Sequence, residues 1–130
     1  MATSQGLALW HQFVEERNTA GLDQLIADDA VLHSPVVWTP QKGKMIVSLY
    51  LTAAATIIAT PHFKYVREIT NSEHAILEFV TEIDGITVEG VDMLTFDDEG
   101  KLKDIKVMIR PLKAIQIVHQ KMGEFLGSKS

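Results

Sequence analysis

The sequence predicts an α+β fold in which a strongly curved, mostly antiparallel sheet folds around helices and an apolar pocket. Three observations predict it. Apolar residues recur at helical spacing over residues 4–18, 22–26 and 46–58, alternate with a period of two over residues 63–109, and return to helical spacing after Pro111. Helices first, sheet second and one closing helix is the order of an α+β chain, not of repeated strand and helix units.

Leu7, Trp10, Val14 and Arg17 share one helical face with Phe13 beside it, which predicts a first helix over about residues 4–18, with Thr3 or Ser4 as its N-cap. Gly21 permits a change of direction, and Leu22, Leu25 and Ile26 form the apolar edge of a short second helix ended by Asp28-Asp29. Ala30 to His33 predicts a brief extended piece, because Pro35 disfavours helix at Ser34; a loop from Pro35 to Lys42 follows. Ile46, Val47, Leu49, Tyr50, Ala53, Ala54, Ile57 and Ile58 predict a third helix, buried on more than one side and closed by Pro61. The apolar run containing it, Met45 to Ala59, is about fifteen residues long, short of the roughly twenty that cross a bilayer.

Beyond Pro61 the alternation sets Phe63, Tyr65 and Arg67 against Lys64, Val66 and Glu68, then Ala75, Leu77, Phe79 and Thr81 against Ile76, Glu78, Val80 and Glu82. Asn71-Ser72 and Asp84-Gly85 supply turns, a strand runs from Ile86 to Phe96, and Asp97 to Gly100 turns the chain into a last strand from Leu102 to Ile109. Four long strands in succession predict a meander, and their length predicts strong coiling. Pro111 suits the first turn of a closing helix lined by Leu112, Ile115, Val118, Met122 and Phe125.

A chain of 130 residues with 46% hydrophobic and 22% charged residues is expected to form one domain spanning residues 1–130. Its net charge of -5 repels a phosphate backbone, so nucleic acid is not expected as a partner. The absence of cysteine excludes disulfides, thiolate ligands and a cysteine nucleophile; it fits a reducing compartment, hence a cytoplasmic expectation. Met1 to Gln5 lacks the features of a secretory signal, and no membrane association is expected. His11, His74 and His119 are scattered, and no glycine-rich phosphate loop or nucleophile elbow is present, so neither a metal nor a cofactor is expected.

Asp92 is the most informative position. Every second residue of its strand reads Ile86, Val88, Gly90, Asp92, Leu94, Phe96, which puts a carboxylate on the apolar face. Burial there raises its pKa unless donors surround it, and makes it a general acid, a general base or a neutral donor; the alternative is a structural aspartate bonded to loop amides or water. His33 offers an imidazole, a side chain suited to proton transfer, or is a satisfied loop histidine. Trp38 either walls an apolar ligand or packs in the core or against a partner subunit. Tyr50 projects from the third helix as a further hydroxyl donor. Phe13, Val88, Leu94, Phe96, Ile105 and Val107, with Trp38, are the expected apolar walls, and Ser34 the polar contact near the mouth.

Three stretches carry a family resemblance: Phe13 to Asn18 with Gly21-Leu22 and Ile26 to Val31, the helix after Gly43, and Gly90 to Leu102. They resemble the nuclear transport factor 2-like superfamily, and within it the SnoaL-like proteins, with a more distant likeness to ketosteroid isomerases. The resemblance implies a cone of curved sheet and helices open at one end, with dimerisation through the outer sheet face. It implies a pocket for a small apolar molecule and acid/base chemistry such as that of an isomerase or cyclase. A noncatalytic ligand-binding or protein-interaction domain is the other implied class, since one fold hosts many activities.

Carried over from the steroid isomerases, Asp92 matches the buried acid that donates to the enolate oxygen. The proton-shuttling aspartate falls at Ser34 and the oxyanion tyrosine at Phe13. In the epoxide hydrolase pattern the arginine two residues before the acid falls at Gly90. The expected partners are therefore a small apolar molecule and a second copy of the chain, joined through the face bearing Glu89, Val91 and Met93.

Overall fold

The computed structural model describes residues 2–17 and 19–127. Its elements in order are α1 (Ala2–Glu16), a 3-10 turn at Thr19–Gly21, α2 (Leu22–Leu25), β1 (Ile26–His33), β2 (Gln41–Lys42), α3 (Lys44–Ile57), β3 (Lys64–Thr70), β4 (His74–Ile83), β5 (Ile86–Phe96), β6 (Leu102–Arg110) and α4 (Leu112–Gly127). The class is α+β, as the change of period predicts.

The six strands form one sheet in the order β2-β1-β6-β5-β4-β3. Strands β3 to β6 make the expected antiparallel meander. The sheet as a whole is mixed, because β1 lies parallel to β6. The strand expected at Ala30 begins at Ile26 instead: Ile26 continues the helical spacing of Leu22 and Leu25, yet it is the first strand residue, and exposed Asp28 and Asp29 sit at an irregularity between the Ile26 and Val31 pairings.

The expected strong curvature, with the sheet wrapped as a cone around the helices, is corrected: the sheet is open, mixed and not strongly curved. Strand coiling is concentrated by bulges, and β4 and β5 pair without interruption from His74 opposite Thr95 to Ile83 opposite Ile86. Irregularities lie instead toward the flanks and strand ends, at Tyr65/Arg67 and Thr95/Phe96 as well as in β1. The bulge in β3 also changes which residues share a face. Tyr65 stands opposite inward Phe79, whereas Arg67 stands opposite outward Glu78 and pairs with it at 3.2 Å. Without that extra residue the guanidinium would lie on the apolar face, at a desolvation cost on the order of several kcal/mol.

The helices cover one sheet face. Ala75, Leu77, Phe79, Thr81 and Ile83 of β4 and Val88, Asp92, Leu94 and Phe96 of β5 are buried there, while Thr87, Glu89, Val91, Met93 and Thr95 face away. Helix α1 begins earlier than its expected cap: Thr3 lies within its first turn, and its hydroxyl donates to the Ser72 carbonyl at 2.5 Å, tying the helix to the β3–β4 turn. Helix α4 starts after Pro111, whose carbonyl accepts from the Ala114 and Ile115 amides at 3.0 and 3.1 Å. The β4–β5 hairpin turns on Asp84 and Gly85, both in the left-handed region at φ 50° and 80°, the geometry a two-residue hairpin requires.

Two apolar clusters make the core. One joins Trp10 and Phe13 of α1 to Leu51 of α3 and Leu77, Leu94, Phe96 and Ile105 of the sheet. The other joins Ala53 and Ile58 to Phe79, Val88, Val118 and Met122. Tyr50, Tyr65 and Val107 pack against both, which places them at the seam between the clusters. Among the described residues no helix is long and apolar enough to cross a membrane.

Candidate active site

The seam between the two clusters holds a cavity of about 80 Å³. Helix α1 contributes Trp10, Phe13 and Val14, α3 contributes Tyr50, Leu51, Ala54 and Ala55, the sheet contributes Phe79, Asp92 and Val107, and α4 contributes Val118 and Met122. Phe63 and Tyr65 complete the wall from the start of β3, and Ser34, Pro35 and Val36 from the loop after β1. Among the described residues, no lysine, arginine or histidine lines it. Alanines at 54, 55 and 59 leave space on the helix side, while Phe63 and Phe79 stack with centroids 5.3 Å apart on the other.

Among the described residues Asp92 is the one carboxylate in this lining, and it is 7% exposed. It reaches the inner face because the alternation of β5 is unbroken through Gly90, and Gly90 itself leaves the room that the Phe79 ring fills; a methyl there would overlap that ring. Oδ2 of Asp92 accepts a hydrogen bond from the Tyr65 hydroxyl at 2.7 Å. The Tyr65 oxygen in turn accepts from Trp10 Nε1 at 3.0 Å. Burial raises the Asp92 pKa from 3.8 to about 6, with the Tyr65 hydrogen bond pulling the other way. Burial, and then the adjacent Asp92 charge, hold the Tyr65 phenol well above its usual range.

The cavity takes in Phe13, Ser34, Tyr50, Asp92 and Val107. Ser34 Oγ accepts from the Val36 amide at 3.1 Å, and the Tyr50 hydroxyl makes no side-chain hydrogen bond among the described residues. The other expected site residues lie elsewhere. His33, expected beside Asp92, has Nε2 3.1 Å from Asp104 Oδ2 and is outside the cavity lining; as the last residue of β1 it neighbours β6, and the two side chains meet across that pair. Trp38 is 97% exposed on the loop and walls nothing, because the inward turn of that loop ends at Val36. Val88, Leu94, Phe96 and Ile105 have the expected inward direction but are spent on core packing above and below the cavity. Alternation fixes the face of a strand, and not how far along it a void extends.

Tyr65 and Trp10, which line the cavity and are hydrogen-bonded in line with Asp92, were not among the expected site residues. The signal for Tyr65 was available: a buried carboxylate needs a donor, and the chain has only 2 tyrosines, both on apolar faces. Among the described residues, no group of three or more histidines and carboxylates is placed to hold a metal ion.

The chain matches the SnoaL-like domain model over residues 7–105. No curated protein matches it. Among solved structures it is similar to a steroid delta-isomerase from Pseudomonas aeruginosa, with 32% identity, TM-score 0.93, and coverage of 98% of this chain and 93% of that one. It is also similar to an uncharacterised protein with a cystatin-like fold from Silicibacter pomeroyi, at 22% identity, TM-score 0.85, and coverage of 92% and 83%. A Mycobacterium tuberculosis protein in complex with estradiol-17β-hemisuccinate shares the fold at 18% identity and TM-score 0.67, with coverage of 87% and 96%. The match over residues 7–105, most of the chain, shows that it belongs to the SnoaL-like domain family, and the near-complete overlap with the Pseudomonas protein agrees with that.

Proposed function

We propose that the chain binds an uncharged, largely apolar carbonyl compound in this cavity and that Asp92 moves a proton between two of its carbon atoms, the chemistry of an isomerase or cyclase. One observation carries the reading: a buried carboxylate with a pKa of about 6 and one unengaged oxygen stands in an otherwise apolar cavity. At pH 7 such a group is ionised by roughly ten to one, so it accepts a proton from the carbon beside a carbonyl and returns it readily. With a β,γ-unsaturated ketone, the C–H bond between carbonyl and double bond breaks and its proton passes to Asp92. The electron pair moves onto the carbonyl oxygen as a dienolate. Return of the proton to the far end of the double bond leaves the conjugated ketone, with no atoms gained or lost. The unengaged Tyr50 hydroxyl is the group we assign to the carbonyl oxygen.

The steroid delta-isomerase of Pseudomonas aeruginosa supports a ring-bearing ketone as the substrate class, and the Mycobacterium tuberculosis protein in complex with estradiol-17β-hemisuccinate supports the same shape of ligand. The mechanism differs from the one that the steroid isomerase resemblance implies. Ser34 stands where that pattern has its base and Phe13 where it has its tyrosine, so Asp92 carries the proton alone. The same two residues favour a second reading, a ligand-binding domain without catalysis. We further propose a twofold dimer through the outer sheet face, where Val91 and Met93 are only half-exposed in the single chain and Met108 is 52% exposed. Sedimentation at micromolar concentration giving the monomer mass would remove the dimer.

A panel of β,γ-unsaturated ketones, one steroidal and one monocyclic, tests the function through the absorbance of the conjugated product. Ligand-detected NMR on the same panel, with a nucleotide as control, reads binding. Conversion with saturable binding is the expected result. Binding of several ketones with conversion of none moves the reading to the noncatalytic class, and tight nucleotide binding overturns both.

A further inference from the structure

We propose that Trp10 and Tyr65 are positioning residues which confine the transferable proton of Asp92 to its Oδ1 oxygen. The proposal rests on Asp92 as the proton-transfer group, and its geometry stands in the hydrogen-bond chain itself. An indole N–H donates and cannot accept. With Trp10 Nε1 3.0 Å from the Tyr65 oxygen, that oxygen is the acceptor. The phenol has a single proton, and Asp92 Oδ2 lies 2.7 Å away on the remaining side, so that proton points at Oδ2. Oδ2 is therefore an acceptor whether Asp92 is charged or neutral. When Asp92 takes up a proton, Oδ2 becomes the carbonyl oxygen of the acid and the proton resides on Oδ1.

The surroundings leave no competing route. Tyr65 keeps its proton because burial holds its pKa well above the usual phenol range. Oδ1 has no side-chain partner among the described residues, and Asp92 lines the cavity. On the outer side of Tyr65, His11 of α1 meets the ring edge-on at 5.6 Å, and its Nε2 is engaged with Glu68 Oε1 of β3 at 2.8 Å. Helix α3 brings the Tyr50 phenol to the cavity; α4, β4 and β6 bring Val118, Met122, Phe79 and Val107, none of which ionises. The chain of donors ends at Trp10, which cannot accept a proton, so Asp92 exchanges its proton through the cavity. A donor from β3 thus meets the acid directly, and a second donor, Trp10 of helix α1, holds it from behind.

Infrared difference spectroscopy on protein with isotope-labelled aspartate, referenced to D92N and recorded without ligand below and above pH 6, tests this. In the wild type the carbonyl band of neutral Asp92 should lie where a hydrogen-bonded acid absorbs. In Y65F it should move to higher wavenumber, and the apparent pKa of Asp92 should rise by about one pH unit, since a donor to the charged form is lost. W10F should raise it by less. A carbonyl band unmoved in folded Y65F overturns the proposal, because it would put the proton on Oδ2 and leave Oδ1 as the carbonyl. If Y65F does not fold, fluorotyrosine incorporated in a Y50F background decides: the stronger donor at Tyr65, then the only tyrosine, should lower the Asp92 pKa, and a pKa that stays put or rises overturns the proposal. These readouts need no substrate. A band shift in Y65F together with full turnover in D92N would keep this inference and remove the proton-transfer reading. An unmoved band with turnover abolished in D92N would do the reverse.

Discussion

Substituting Asp92 by Asn should make the stability difference between variant and wild type depend on pH, growing in the variant's favour from about pH 4 to about pH 6.5. Asp92 titrates at 3.8 in the unfolded chain and about 6 in the folded one. Below both values the proton is bound in both states and the carboxyl contributes no pH dependence. Between them the folded protein holds the proton and the unfolded chain has released it, so wild-type stability falls as pH rises; above 6 both are ionised and the loss is complete. A rise of about two pH units at 1.36 kcal/mol each gives about 3 kcal/mol. At 7% exposure, solvent screening reduces this little. In a domain of this size 3 kcal/mol corresponds to on the order of 10 °C in the unfolding midpoint. Asn keeps the size and accepts from Tyr65, yet never carries the charge. Urea unfolding of both proteins across pH 4.5 to 7.5 measures the difference, and everything else that titrates is common to both. A difference that stays flat with pH would refute the reasoning, since the folded-state carboxylate would then be as well solvated as the unfolded one.

Three further outcomes follow from the packing. Thr81→Val should cost about 1–3 kcal/mol in chemical denaturation, because the buried Thr81 hydroxyl donates to the Ile58 carbonyl at 3.1 Å and meets Thr60 at 2.9 Å, joining the end of α3 to β4. Gly90→Ala should lower stability by about 1–3 kcal/mol, since its methyl would overlap the Phe79 ring; a midpoint equal to wild type would contradict the close approach. Trp38→Ala should change stability by less than about 0.5 kcal/mol and ketone affinity by less than about twofold, as the side chain is 97% exposed and off the cavity. A large loss of affinity there would show that the loop meets the ligand.

What the sequence made legible is what depends on near neighbours. The helical faces of Trp10 and Val47, the turn at Asp84-Gly85, and the inward direction of Asp92 all follow from spacings of two to four residues, and the structure has each of them. The parallel pairing of β1 with β6 joins residues about seventy apart, such as Val31 and Asp104, and leaves no local trace. Curvature was misjudged for a related reason: strand length suggests coiling, whereas the placement of bulges decides it, and the β4–β5 ladder has none. At the site, alternation put Asp92, Leu94 and Phe96 on one face, but only the packing of α1 and α3 above that face leaves a void over Asp92 and fills the space over the other two. His33 was drawn to Asp92 by its position beside Ser34, and it was the β1–β6 pairing that gave it Asp104 instead. Tyr65 reaches Asp92 from two strands away, with Phe79 and Leu77 on the strand between, a relation that needs the whole sheet order.

The measurement that bears most directly on Asp92 as the proton-transfer group is turnover per folded molecule of wild type and D92N on the same β,γ-unsaturated ketone between pH 5 and 8. For the wild type, kcat/KM should rise with pH and level off above about 6, as the buried carboxylate ionises and becomes able to accept the proton. D92N should bind the ketone within about an order of magnitude of wild type and lose roughly 100-fold or more in kcat. A folded D92N protein that converts the ketone as fast as wild type, with the same pH profile, would contradict the assignment.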